Sequence, residues 1–155
     1  MGRRWVEWGL LTVVVLVLLL LFLQEARRLQ GQAERAAVQS TLGALRTAGI
    51  LQDLRARATA SAPSEAGLPV NPFDLLQSRP GNYLGALDSD EALTARAGSW
   101  YFDSACVCVV YLPLEPRWIS STSGSGSLRF RVRRVPGPLQ LDPLERYLWQ
   151  GRLVE

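Results

Sequence analysis

The sequence predicts an α+β protein in which a long N-terminal helix, transmembrane at first and then amphipathic, packs on a small antiparallel β-sheet. Three observations lead there. Trp8 to Leu23 (WGLLTVVVLVLLLLFL) is one uncharged apolar run, Glu25 to about Ala58 is free of Pro and rich in Ala, Leu, Gln, Glu and Arg, and Leu128, Phe130 and Val132 alternate with Arg129, Arg131 and Arg133. The first has the composition of a membrane span, the second that of a helix, and the third the period of a half-buried strand. The chain divides accordingly into an anchor at 1–24, a helical stem at 25–58, a linker and irregular region at 59–97 and an antiparallel β portion at 98–155.

As a helix, the run from Trp8 to Leu23 rises roughly 24 Å, short of a hydrocarbon core of about 30 Å, and counting from Trp5 to Gln24 closes the gap. That count takes in Glu7, a carboxylate about one turn inside the span, where it is costly unless paired. After Leu23 the chain continues Gln24-Glu25-Ala26-Arg27-Arg28, with no small-x-small cleavage site, so an uncleaved anchor is expected rather than a removed signal. Arg3 and Arg4 favour a cytoplasmic N-terminus, while Arg27 and Arg28 pull the other way. The expected location is a single pass of the inner membrane, N-terminus cytoplasmic and soluble domain periplasmic, with Trp5 and Trp8 in the interfacial belt.

All 17 basic residues are Arg, and there is no His. Residues 1–57 hold eight Arg against four carboxylates, whereas residues 58–155 hold nine against ten. The positive charge is therefore membrane-proximal, which argues against a nucleic-acid footprint. Without His, a Gly-rich phosphate loop or a Ser elbow, the sequence offers no catalytic residues, and no cofactor or small-molecule substrate is expected.

Along the stem, Leu29, Ala33, Ala37, Ala44, Ala48 and Leu51 follow steps of three, four or seven, predicting an Ala-rich packing stripe. Gly31, Gly43 and Gly49 weaken the helix by about 1 kcal/mol each relative to Ala. Ala60 to Pro72 reads as a linker, and Asn71-Pro72 as the start of a short helical turn with Asp74 at its dipole-favoured end. Arg79-Pro80-Gly81-Asn82 is a turn cluster, and Leu84 to Ala97 is acidic and irregular. Within it, Asp88, Asp90 and Glu91 read as a solvated loop in preference to a cation site, so no metal is expected.

Ser99-Trp100-Tyr101-Phe102 and Ala105 to Leu112 (ACVCVVYL) read as a hairpin about Asp103-Ser104. Pro113 and Pro116 place Leu114 to Trp118 at an edge or bend. Ser120 to Ser127 is a flexible connector, and the Leu128–Arg133 alternation sets one face on a core and three Arg toward water, where Arg129, Arg131 and Arg133 could meet a partner. After Pro136-Gly137-Pro138 one short segment, Leu144 to Leu153, is expected. In a strand, Cys106 and Cys108 would share a face with Cα atoms roughly 6.5 to 7 Å apart, at the outer limit for a disulfide. They read as buried thiols acting as small hydrophobes, with an intermolecular bridge as the alternative.

The order of parts resembles the type IV pilin and type II secretion pseudopilin superfamily: Gly2, then Glu7 five residues later, an apolar run, an amphipathic continuation, a loop and a sheet. Asn71-Pro72-Phe73-Asp74-Leu75-Leu76, Pro80-Gly81-Asn82-Tyr83 and Gly98-Ser99-Trp100-Tyr101-Phe102-Asp103 are similar to segments of minor pilin-like proteins of the mannose-sensitive haemagglutinin (MSHA) type pilus. The resemblance implies a non-enzymatic subunit or accessory factor of a pilus or secretion assembly, with the membrane, other pilins or pseudopilins and assembly-platform proteins as partners. It further implies that Gly2 precedes a processing point and that Glu7 neutralises a neighbouring subunit's new terminal amine. The chain departs from that pattern at Arg3 and Arg4 and in lacking a Pro within the apolar helix. Glu7 can equally pair with Arg3 or Arg4 one turn back. A membrane-anchored scaffold or adaptor of the cell envelope is the alternative function.

Overall fold

The computed structural model describes residues 2–58, 71–88, 91, 94–133 and 138–154, with side chains from Glu7 onward. Most of the expected linker, together with Asp90 and Pro136-Gly137, lies outside the described residues. One helix, α1, runs over Gly2–Ala58, and the chain divides into two compact units, Met1–Ala36 and Ala37–Glu155.

In the first unit the large apolar side chains from Trp8 to Leu23 are each between 46 % and 69 % exposed. A wall of that size has no counterpart on an ordinary water-facing helix and calls for an apolar surrounding. This helix is long and apolar enough to cross a membrane. Thr12 does not interrupt it, because its hydroxyl donates to the Trp8 carbonyl at 2.9 Å. Beyond the apolar run, Arg28 lies 4.0 Å from Glu25 one turn back, a solvent-exposed pair.

The second unit is an α+β domain. Its helical part, residues 37–58 of α1, buries Val38, Leu42, Leu45 and Gly49, spaced at i, i+4, i+7 and i+11. This corrects the Ala-rich stripe expected from the sequence: Ala37, Ala44 and Leu51 are exposed, as are Leu29 and Ala33 in the first unit. The branched side chains at 38, 42 and 45 bury more apolar area than alanines and decide which face turns inward. Gly49 completes that face by its smallness. A Cβ there would stand 2.7 Å from the Cβ of Leu139, whereas a Cβ at Gly43 would meet nothing within 4 Å.

A 3-10 turn follows at Pro72–Leu75, as the Asn71-Pro72 signal predicts. The Asn71 carboxamide oxygen accepts from the Phe73 N–H at 3.1 Å while its amide donates to the Tyr83 hydroxyl at 2.6 Å. The Phe73 and Tyr83 rings stack with centroids 4.1 Å apart, and Asp74 pairs with Arg79 at 2.6 Å.

The strands are β1 (Tyr83–Leu87), β2 (Ser99–Asp103), β3 (Cys108–Leu112), β4 (Ile119–Ser120), β5 (Leu128–Arg133), β6 (Gln140–Pro143), β7 (Leu148–Trp149) and β8 (Arg152–Leu153). They form a five-stranded sheet in the order β1-β2-β3-β5-β6 and a three-stranded sheet in the order β4-β7-β8. All pairs are antiparallel except β1 with β2, so the main sheet is mixed and begins at Tyr83, inside the region the sequence marks as irregular. The strand escapes detection because Gly85, at φ +106°, breaks its alternation where the register shifts between Tyr83 and Ala86. At the other border β6 ends in Pro143, opposite Phe130.

Trp100 and Phe102 on β2, Val109 and Tyr111 on β3, Leu128 and Phe130 on β5 and Leu141 on β6 project to the face that meets Val38, Leu42 and Leu45. The expected cover of the sheet by the stem helix is thus present. The opposite face is not simply solvated: Tyr101, Cys108 and Val110 are buried there, with Leu87, Ala95, Cys106 and Leu112 packed against them. The segment between β1 and β2 supplies Ala95 to this second, smaller cluster, while Arg131 and Arg133 on β5 stay exposed.

The tail holds more structure than the single segment expected. Gln150 (φ 47°) and Gly151 (φ 78°) form a two-residue turn with both residues left-handed, the geometry that joins strands β7 and β8 tightly. Tyr147, fully buried, fastens this tail to the main sheet: its hydroxyl accepts from the Arg129 N–H at 3.1 Å and donates to the Arg129 carbonyl at 3.3 Å.

Candidate functional site

The sequence points to three places, and the structure brings the second and third together, with Cys108 opposite Arg131 in the strand register. The first is the head of α1. Gly2 and Glu7 lie in the same helix, with Glu7 exposed at the start of the apolar wall. The side chains of Arg3 and Arg4, the local partners considered for Glu7, lie outside the described residues.

The second is the Arg face of β5, which alternates as expected: Leu128 and Phe130 are buried while Arg131 and Arg133 are exposed. The three Arg do not act alike. Arg133 forms an ion pair with Asp142, its near neighbour on β6. Arg129 is half-buried, with its Nε enclosed and without a hydrogen bond among the described residues. Arg131 stands between Cys108 on β3 and Asp142 on β6 in the strand register. Only Arg131 and, in part, Arg133 therefore present a guanidinium to the surroundings.

The third place is the turn between β2 and β3. Residues 104–107 are a turn rather than strand, so the strand rise used for the two cysteines does not apply: their Cα atoms are 5.2 Å apart and the sulfurs are bonded to each other. The expectation of free buried thiols gives way to a Cys106–Cys108 disulfide. Asp103 shapes the turn, its Oδ1 accepting from the N–H groups of Ala105 at 2.9 Å and Cys106 at 3.3 Å. Val107, between the two cysteines, has φ 55°. A β-branched residue is rare in the left-handed region and costs about 1–3 kcal/mol there. Its carbonyl is tied to β5, accepting from the Val132 N–H at 2.9 Å.

A bridge across a single residue gives little in return. On the chain-entropy account, a loop of three residues contributes about 1.6 kcal/mol, against about 3 kcal/mol for one of fifteen. That gain and the cost at Val107 are of one size, so the bridge adds almost nothing to the stability of the hairpin. The sequence signal for this turn was Asp103-Ser104, with Cys-x-Cys beginning one residue further on. Reading the cysteines as strand residues hid it.

Burial pushes the Tyr83, Tyr101 and Tyr147 hydroxyls above the ordinary tyrosine value, which keeps all three neutral and available for hydrogen bonds. Glu145 is held below the usual carboxylate range, chiefly because the Ser123 hydroxyl and then the Ser123 N–H donate to it. Shallow grooves occur among the described residues. One, of about 310 Å³, lies between Arg46 and Ile50 of α1 and Leu139–Asp142, and another, of about 370 Å³, is lined by Leu84, Leu87, Glu91, Thr94, Ala95 and Arg96. Each contains one carboxylate, Asp142 or Glu91, so neither offers a pair for general acid and base work. Among the described residues no group of three metal-ligating side chains forms, and the Asp88 carboxylate accepts from the Ser104 hydroxyl at 3.3 Å. Compared with protein-family models, curated proteins and solved structures, the chain matches none.

Proposed function

We propose that this chain is a non-enzymatic, membrane-anchored pilin-like or pseudopilin-like subunit or accessory factor of a type IV pilus, of the MSHA kind, or of a type II secretion assembly. The observation that carries the reading is the head of α1, where Gly2 is followed five residues later by Glu7 and then by the exposed apolar wall from Trp8 to Leu23. A carboxylate at that depth is costly in lipid unless a cation meets it. A terminal amine created after Gly2 in a neighbouring copy is a cation of the right kind. The α+β domain supports the reading in a general way, since a stem helix covering a sheet is the architecture that the resemblance implies. In this arrangement the inner membrane holds the apolar part of α1 around Trp8–Leu23, the domain lies in the periplasm, and other pilins and assembly-platform proteins are the partners.

N-terminal sequencing of the protein recovered from its own membranes tests this directly. The expected first residue is Arg3, with a methylated amine as further support. An intact Met1 would overturn processing after Gly2 and favour the envelope scaffold or adaptor, a reading to which the Arg3-Arg4 pair already points.

A further inference from the structure

We propose that Cys106–Cys108 is a thiol–disulfide exchange site, a bridge that accepts electrons from thiols of another molecule. The proposal is independent of the pilin-like reading and would hold for any anchored protein with this hairpin.

The fold gives the closed bridge no structural task. It spans one residue, so it barely restricts the unfolded chain, and it coexists with a left-handed Val107 that the open form is free to relax. Access is asymmetric. Cys106 is half-buried at the turn, whereas Cys108 is fully buried in the outer-face cluster, so an arriving thiolate meets the Cys106 sulfur. The electrostatics suit the same direction of attack. Arg131 is the cross-strand partner of Cys108 on the same face of the sheet, and a guanidinium there favours the thiolate that leaves when the bridge opens. Asp103, the partner of Cys108 on the other side, has one carboxylate oxygen engaged by the N–H groups of Ala105 and Cys106.

The chemistry is a two-step exchange. A thiolate attacks the Cys106 sulfur, a new sulfur–sulfur bond forms, the Cys106–Cys108 bond breaks, and Cys108 departs as a thiolate beside Arg131. A second thiol from the reductant then attacks the mixed disulfide, releasing Cys106. In sum, one protein disulfide and two thiols become two protein thiols and one disulfide of the reductant, with two electrons and two protons transferred.

The test uses the full chain in detergent micelles, without denaturant, equilibrated with reduced and oxidised glutathione in varied ratio, then alkylated and weighed by mass spectrometry. The expected result is a reversible transition in which both cysteines become alkylated together. A bridge that ignores excess reduced glutathione and opens only on denaturation would overturn the proposal, as would two thiols that stay free in excess oxidised glutathione. Two variants read the asymmetry: Cys108→Ser is expected to capture glutathione at Cys106 at least tenfold faster than Cys106→Ser captures it at Cys108. Equal rates would count against it. Val107→Gly, which accepts a left-handed backbone freely, is expected to move the midpoint about tenfold toward the disulfide. An unmoved midpoint would show that Val107 does not bear on the bridge and would remove that support.

Discussion

Gly43 and Gly49 sit on the same helix six residues apart, and replacing each by Ala should move stability in opposite directions. In an exposed helix interior, Gly→Ala gains about 0.8–1.0 kcal/mol, because the alanine backbone has less freedom to lose. At Gly43 nothing lies within 4 Å of the new Cβ, so the full gain of about 1 kcal/mol is expected. At Gly49 the new Cβ would stand 2.7 Å from the Cβ of Leu139, with the Leu139 Cα at 3.5 Å. That contact is with the root of a side chain, which cannot swing aside without moving the backbone ahead of β6. Overpacking of this kind costs about 1–3 kcal/mol, which set against a propensity gain of about 1 kcal/mol leaves a net loss of up to roughly 2 kcal/mol. For a domain of this size, 1 kcal/mol corresponds to about 4–8 °C in Tm. Thermal unfolding of the full chain in micelles, followed by near-ultraviolet circular dichroism of the buried tryptophans, should show Gly43→Ala melting higher and Gly49→Ala lower than the parent. If both variants melt higher by the same amount, the close approach of α1 to Leu139 is wrong.

The packing face of the stem can be read independently: Leu45→Ala should cost about 2–5 kcal/mol in denaturant unfolding, whereas Leu51→Ala, on the exposed side, should change it by less than about 0.5 kcal/mol. A reversal of that order would restore the Ala-rich stripe as the buried one. Tyr147→Phe keeps the ring beside Phe130 but leaves the Arg129 N–H without its acceptor, an expected loss of about 1–3 kcal/mol, and an unchanged denaturation midpoint would show that this tie carries no load. The Glu145 contact with Ser123 has a defined pH sign. Since the folded carboxyl is held below its ordinary value, the contact's contribution is complete above that value and is lost only as pH falls through the depressed one. The Ser123 amide resonance should therefore titrate below the usual glutamate range, and a transition at the ordinary value would refute the contact.

Elements whose pattern depends on a few neighbouring residues were legible before the fold was known. The apolar run, the Asn71-Pro72 cap, the alternation of β5 and the aromatic β2 strand all follow from local periodicity or turn chemistry. What escaped depends on partners distant in sequence. β1 is a strand because β2 lies beside it, and Gly85 removes the local signal. The buried face of the stem is set by what fits beneath Trp100, Phe102 and Phe130, a selection of Val38, Leu42 and Leu45 that Ala spacing alone could not reveal. Of the candidate sites, the positions of Arg129, Arg131 and Arg133 on one strand were evident, but their unequal roles were not, since the Arg133 ion pair depends on Asp142 arriving from β6. The cysteine pair was visible and its geometry was misjudged, because β3 begins at Cys108, three residues later than expected, which converts a spacing across a pleat into a bond across a turn.

The two borders of the main sheet carry one more implication. A sheet can be extended by a second molecule only where a straight run of main-chain donors and acceptors lies open along its rim. Here one rim is broken by the left-handed Gly85, and the other ends in Pro143, which has no N–H to offer, beside the charged Asp142. Strand-by-strand polymerisation is thereby discouraged on both sides. The sheet is thus closed off as a template for a cross-β fibre.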